Sequence, residues 1–219
     1  PGGHSLFLNR ACHHSGAAVL GLSGNVFLET VVAQGCKPIG VVGQITKAEH
    51  NYLIAVDGKP AVQFLQEQLA TLDHRDARLA REAIFVGLAM NPFSTNQPGP
   101  GDYLIRNVLG IDPQAGILSV GEILSVGRSV QIHLRDGDAS DQDLRAMLRN
   151  RARPAKPRGA LLFSCLGRGQ FLYGQANHDT ELFRDKLGSV PLGGFFCNGE
   201  IGPVSGTTFL HGYTSSFGI

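Results

Sequence analysis

The sequence predicts an α+β fold, with large, mostly antiparallel or mixed sheets covered by helices; a layered sandwich is one form of it. Three observations carry this. Short runs rich in β-branched and aromatic residues recur along the chain, most of them joined by hairpin-length turns. Three or four stretches place apolar residues at helical spacing. Strands and helices show no regular alternation of the kind a doubly wound parallel sheet needs.

Taken in order, residues 5–9 read as a short strand followed by a polar turn through His13, His14 and Ser15. Gly16–Leu22 and Val26–Gln34 then suggest a hairpin about Ser23-Gly24-Asn25, broken at Cys36–Gly40. Val41–Ala48 and Tyr52–Val56 form a second hairpin around Glu49-His50-Asn51. Ala61–Leu72 has one apolar helical face, with Pro60 where a missing N–H is harmless. A short helix over Asp76–Glu82 leads to a buried strand, Ile84–Met90, and residues 91–101 read as a loop by every turn signal. Tyr103–Leu109, Ile117–Val120 and Val130–Leu134 are strands, with Gly110-Ile111-Asp112 among the turns. Ala139–Arg149 is a helix capped by Asp138 or Ser140, with arginines toward its C-terminal end. After a linker at Pro154–Arg158, strands are expected at Gly159–Cys165, Gln170–Gly174, Val190–Cys197 and Thr207–Tyr213, with a helix from Asn177 or Asp179 to Leu187.

Composition narrows the function. Net charge is +1, so no whole-chain footprint for nucleic acid or an anionic membrane is present. The arginine-rich run over residues 145–158 lacks aromatics to stack bases and reads as a solvated helix end and linker. Four cysteines, Cys12, Cys36, Cys165 and Cys197, are widely spaced without a C-x-x-C pair, which fits a reducing compartment better than a zinc ribbon or disulfide scaffold. No eighteen-residue apolar run is present. The first residue is Pro1, so the chain is expected to begin inside a longer polypeptide or after processing, without its N-terminal half. The composition shift at Asp57–Pro60 marks the domain boundary, giving residues 1–59 and 60–219.

Two glycine-flanked patches stand out as walls of a site, Phe163–Gly169 and Gly193–Pro203, each holding one thiol and one charge. Val32–Gly40, Gly101–Asn107, Gln131–Asp136, these two patches and Phe209–Thr214 together resemble FIST-domain proteins, in the flavour of cyanobacterial and plastid-lineage members. By that resemblance residues 1–59 are the end of a FIST N-terminal domain and residues 60–219 nearly all of a FIST C-terminal domain. It implies a sensory or small-ligand-binding module in signalling rather than an established enzyme, with an amino acid or similar small anion as ligand. It also implies a setting in the cytoplasm or plastid stroma. Some relatives are haem-binding sensors and one joins the domain to an F-box. No histidine here matches a family haem ligand and no F-box is present, so neither property carries over. Lys37 stands where close relatives are expected to have Arg.

The residues themselves leave alternatives. Arg168 suits a ligand carboxylate, or an ion pair with Glu200 or Asp179. Glu200, after the turn Asn198-Gly199, would take a ligand ammonium or a structural partner. Cys165 beside Arg168 is either a reactive thiol or a small core residue. His178, Asp179 and His211 could join Cys165 and Cys197 around zinc, but the wide spacings do not demand it and ordinary satisfied side chains are the favoured reading. Arg106, Gln131 and Arg135 lie on strands, where period-two spacing puts Gln131, His133 and Arg135 on one face. The expected ligand-binding set is therefore Arg168, Glu200, Cys165, Asn198, His178, Asp179, His211, Arg106, Gln131 and Arg135, with no catalytic residue, no metal and no cofactor. The expected partners are a small molecule or another protein, not nucleic acid or membrane. Alternatives are a scaffold subunit that binds a partner, a haem-binding sensor, and a thiol-dependent enzyme. No nucleophile elbow, phosphate loop, dinucleotide fingerprint or His-Glu-x-x-His motif appears.

Overall fold

A computed structural model describes residues 5–91, 98–99, 101–151 and 156–219. It is an α+β structure organised in two layers of sheet that meet along one seam. The expected loop at 91–101 and linker at 154–158 fall partly outside the described residues.

The chain opens with a small hairpin, β1 (Leu6–Leu8) and β2 (Ala11–His13), and then β3 (Thr30–Ala33). The hairpin expected from Gly16–Leu22 and Val26–Gln34 does not form. Residues 16–28 are exposed and in no strand, and β3 pairs instead with the chain's last strand. A β-rich run needs a neighbour to satisfy its backbone, and here only four residues reach one.

β4 (Cys36–Glu49) is long and starts where a break was expected. Pro38 is accommodated because this half of β4 is bonded on one side only, to β10. β5 (Tyr52–Val56) turns back as foreseen, and β6 (Lys59–Pro60) follows. Helices α1 (Ala61–Leu69) and α2 (His74–Glu82) lead to β7 (Ile84–Ala89), β8 (Tyr103–Asp112), β9 (Ile117–Val120) and β10 (Ser129–Arg135). Gly110-Ile111-Asp112 is not a turn: β8 runs through it to pair with β9.

The strands β4, β10, β7, β8, β9 and β5 pair in that order, all antiparallel, and β5 pairs back onto β4. The result is a closed barrel, which removes its own edges. Ile39, Ile45, Leu53, Val86, Leu88, Leu118, Val130, Ile132 and Leu134 fill it, joined by Val62, Phe64 and Leu65 of α1. β4 and β5 lie before residue 60 and β7–β10 after it, so both sides of that boundary build one barrel.

α3 (Gly137–Arg149) is capped by Asp136, one residue ahead of the helix, whose carboxylate accepts from the Asp138 and Ala139 amides. Asp138 and Ser140, the expected caps, lie inside the helix. Next come β11 (Ala160–Cys165), α4 (Gln170–Tyr173), α5 (His178–Leu187), β12 (Leu192–Cys197), β13 (Glu200–Val204), β14 (Thr207–His211) and β15 (Ser215–Gly218). Gln170–Tyr173 is a helical turn rather than the expected strand, entered from Gly169 at φ +67 and left through Gly174 at φ +71.

The second sheet has the order β12-β11-β15-β3, with β11 and β12 parallel and the other pairs antiparallel. α3 and α5 cover one face, packing Leu144, Leu148, Leu182 and Phe183 onto Val31, Ala33, Leu162 and Phe217. The hairpin β13–β14 contacts β3, β11 and β15. No helix among the described residues is long and apolar enough to cross a membrane.

Candidate functional site: the seam between barrel and sheet

The link from β3 to β4, Gln34-Gly35, crosses from the sheet to the barrel. Gln34 donates from its backbone to Asp143 Oδ2 at 2.6 Å and from its side chain to the Tyr103 carbonyl at 2.6 Å. Gly35 is tightly enclosed: a Cβ there would lie 2.5 Å from the Tyr213 carbonyl oxygen, 2.9 Å from Arg135 Nη1 and 3.2 Å from Arg168 Nη1. Two arginines and the final loop therefore converge on a residue that has to be glycine.

Arg168, reached through Cys165-Leu166-Gly167, is 1% exposed. Its Nε and Nη2 donate to the two carboxylate oxygens of Asp179 at 2.8 and 3.1 Å. Nη1 donates to Ser140 Oγ at 2.8 Å and Nη2 to Tyr173 Oη at 2.6 Å. Asp179 also receives the Ser215 hydroxyl and faces His178 Nδ1 at 3.0 Å. Burial alone would raise its pKa, yet His178, the Arg168 guanidinium and Ser215 hold it well below the usual carboxylate range. His178 stacks on Tyr173, ring centroids 3.5 Å apart, and its Nε2 faces Asp141 Oδ1 at 2.8 Å. This network pins α3, α4 and α5 to β11 and β15.

A cleft of about 470 Å³ opens along the seam. Arg106 and Asn107 of β8 form one wall; Cys165, Gly167, Asn198 and His211 contribute to the other. Arg106 is held by Glu122 at 2.9 Å and by the Leu210 carbonyl at 3.0 Å, which ties the barrel to β14. Tyr213 sits at the cleft in the left-handed region, φ +67, unusual for a bulky residue. Its hydroxyl donates to Asn107, its ring packs on Phe85 at 4.4 Å, and Arg135 lies over it at 4.8 Å.

Glu200, 1% exposed, accepts from Thr214 Oγ1 at 2.8 Å and Thr214 N at 3.2 Å, and burial raises its pKa. Cys197 donates weakly to Glu200 and to the Ser164 carbonyl; burial and the Glu200 charge push its thiol up to about 11. Burial pushes Cys36 to about 11 as well, against the pull of Arg135. Thiols held protonated in this way are poor nucleophiles. His211 Nε2 faces the Gly202 carbonyl at 3.0 Å. Among the described residues, no three His, Cys, Asp or Glu side chains are grouped to hold a metal ion.

A second cavity, of about 570 Å³, lies over the free edge of β12. Arg168, His178 and Asp179 border it, but Phe171, Phe195 and Phe196 dominate its surface, exposed by 92%, 64% and 57%. The expected site residues thus fall apart. Arg106, Cys165, Asn198 and His211 line the seam cleft; Arg168, His178 and Asp179 border the second cavity. Gln131 binds Tyr103 Oη at 2.7 Å on the outer face of the barrel, and Arg135 lies just behind the cleft wall. Sequence reasoning missed Tyr213, Gly35, Ser140 and Tyr173. The glycine beside Tyr213 was the one local signal; Gly35 and Ser140 depend on contacts distant in sequence, and Tyr173 on the turns that fold it onto Arg168 and His178. Lys37 bonds both oxygens of Asp76, at 2.6 and 2.9 Å, so lysine makes a two-oxygen contact here without the arginine fork.

The chain is 38% identical over 216 residues to an uncharacterised protein of Mycobacterium tuberculosis, covering 98% of this chain and 56% of that protein. An uncharacterised Mycobacterium bovis protein is 38% identical over 191 residues, covering 86% and 49%. An F-box/LRR-repeat protein of Arabidopsis thaliana is 33% identical over 132 residues, covering 52% and 25%. These two bacterial relatives are mycobacterial, and the chain spans about half of their length. The FIST N domain model matches residues 2–59 and the FIST C domain model residues 61–203, so the chain belongs to the FIST family.

Proposed function

We propose that this chain is a non-catalytic, small-ligand-binding sensory module in signalling, and that its ligand, an amino acid or similar small anion, enters the seam cleft. The observation that carries this reading is the cleft itself, whose walls come from both the barrel and the second sheet. A ligand touching both walls would change how the two layers hold each other, which is what a sensor needs. Membership of a signalling-associated family supports it. The raised pKa values of Cys36 and Cys197 weigh against those two thiols as nucleophiles. Mycobacterial relatives and four free cysteines support a bacterial cytoplasmic setting.

The test is a thermal-shift screen of amino acids and small organic anions. Binding at the cleft raises the melting temperature in a saturable way, and Asn198→Trp, placed at the rim, abolishes the shift. A screen without hits, or an unchanged response in Asn198→Trp, would count against the reading. A second reading, a scaffold that docks a partner protein, is favoured by the exposed Phe171, Phe195 and Phe196 face. Its mark would be a stable complex lost on substituting those three residues.

A further inference from the structure

Three arginines surround the seam, and two of them are spent. Arg168 grips Asp179, and Arg106 is held by Glu122 at 2.9 Å and by the Leu210 carbonyl at 3.0 Å. Arg135, at the end of β10, is different. Its Nη1 donates to the Tyr213 carbonyl at 3.3 Å, while its Nη2 is enclosed by protein and meets no acceptor among the described residues. No carboxylate stands within ion-pair distance of it there. Enclosing a charged donor without an acceptor is costly, so such an atom calls for a partner.

The wall between this atom and the cleft is Gly167. A Cβ built there would lie 3.4 Å from Nη2, and Gly167 itself lines the cleft beside Cys165 and Tyr213. Nη2 itself has no free surface, so the wall a ligand would have to pass is the Gly167 backbone, which carries no side chain. The walls nearby are apolar at Ile105, Leu166 and Leu210, with the Asn198 amide at the rim.

Building on the sensory reading above, we infer that the anchor of the cleft is Arg135, which takes a small carboxylate approaching past Gly167. Arg168 then has a structural role and does not meet the ligand. The carboxylate gains a charge-assisted hydrogen bond in a partly desolvated setting, and the cleft's apolar walls hold a short carbon chain.

The experiment measures binding of acetate, propionate and glutamate by thermal shift and calorimetry at fixed ionic strength, with acetamide as the neutral control. The expected result is saturable binding of the carboxylates and none of acetamide. Arg135→Gln weakens the carboxylates roughly 10- to 100-fold, the worth of a hydrogen bond to a charged group. Because Arg135 also supports Tyr213, Gly167→Ala is the second variant; its methyl is accommodated in ordinary contact and closes the approach to Nη2. It also weakens carboxylates, whereas Arg10→Gln on the surface leaves them unchanged. Carboxylates that bind no better than chloride, or bind both variants as they bind the parent, overturn the inference. If neutral compounds from the screen still occupy the cleft in those variants, the sensory reading survives that failure. If Asn198→Trp leaves all binding intact, the cleft reading falls instead.

Discussion

Arg168 and Asp179 face each other eleven residues apart in sequence, two guanidinium nitrogens on two carboxylate oxygens, with the arginine side chain wholly buried. Removing one partner strands the other charge. Arg168→Met and Asp179→Leu are each expected to cost about 3–5 kcal/mol in urea unfolding. The double variant Arg168→Met/Asp179→Leu should cost clearly less than the sum, since it leaves no unpaired charge. Additive costs would show that the pair is not a unit.

His133 provides a pH signature. It is 1% exposed, packed edge-on against Tyr103 at 4.8 Å, with its Nδ1 near the Gln131 carbonyl. Burial lowers its pKa from 6.5 to about 4. The unfolded chain takes up the proton first, so stability is complete above pH 6.5 and falls as pH drops toward 4. This group contributes about 3 kcal/mol to that fall. His133→Leu is destabilised at neutral pH but should show a flatter slope between pH 6.5 and 4. An unchanged slope would remove His133 as its source.

Neighbouring glycines in β12 should behave in opposite ways. A Cβ at Gly194 would sit 1.9 Å from the Leu162 carbonyl oxygen, a backbone atom that cannot yield without unpairing β11 from β12. At Gly193 a Cβ meets nothing within 4 Å. Gly194→Ala is expected to cost about 3 kcal/mol or to prevent folding, and Gly193→Ala to stay within about 0.5 kcal/mol. Equal effects on the melting temperature would contradict the packing.

The aromatic face on β12 should be visible to an apolar dye. Phe171, Phe195 and Phe196 are exposed beside a strand edge that is unpaired among the described residues, a surface that binds apolar probes. Phe195→Ser/Phe196→Ser is expected to remove most anilinonaphthalene sulfonate fluorescence while changing stability by about 0.5 kcal/mol per site or less. Undiminished dye binding would place the exposed apolar surface elsewhere, for example on residues 19–28.

Much of the local structure was legible in the residues. The Glu49-His50-Asn51 turn, the α1 face, β7, β9 and α5 followed from periodicity and turn chemistry, because those signals act over a few residues. β15 is a short run whose partners, β3 and β11, lie far away in sequence, whereas β13 pairs with the adjacent β14 across the turn at Ser205-Gly206 and was missed locally. The Gly16–Leu22 run had strand-like composition and found no partner.

The site divides along the same line. By itself the sequence singled out two glycine-flanked patches holding Arg168 and Glu200, and it named Asp179 and Glu200 as partners Arg168 could choose between. Only the tertiary structure decided the choice. The turns at Gly169, Gly174 and Asn177 bring Asp179 back onto Arg168, while Glu200 is captured by Thr214. Barrel closure, the seam and the unpaired Nη2 of Arg135 also belong to the tertiary structure. Propensity and spacing act within a turn or two of chain, whereas burial and charge pairing are settled by whatever segment arrives from a distance.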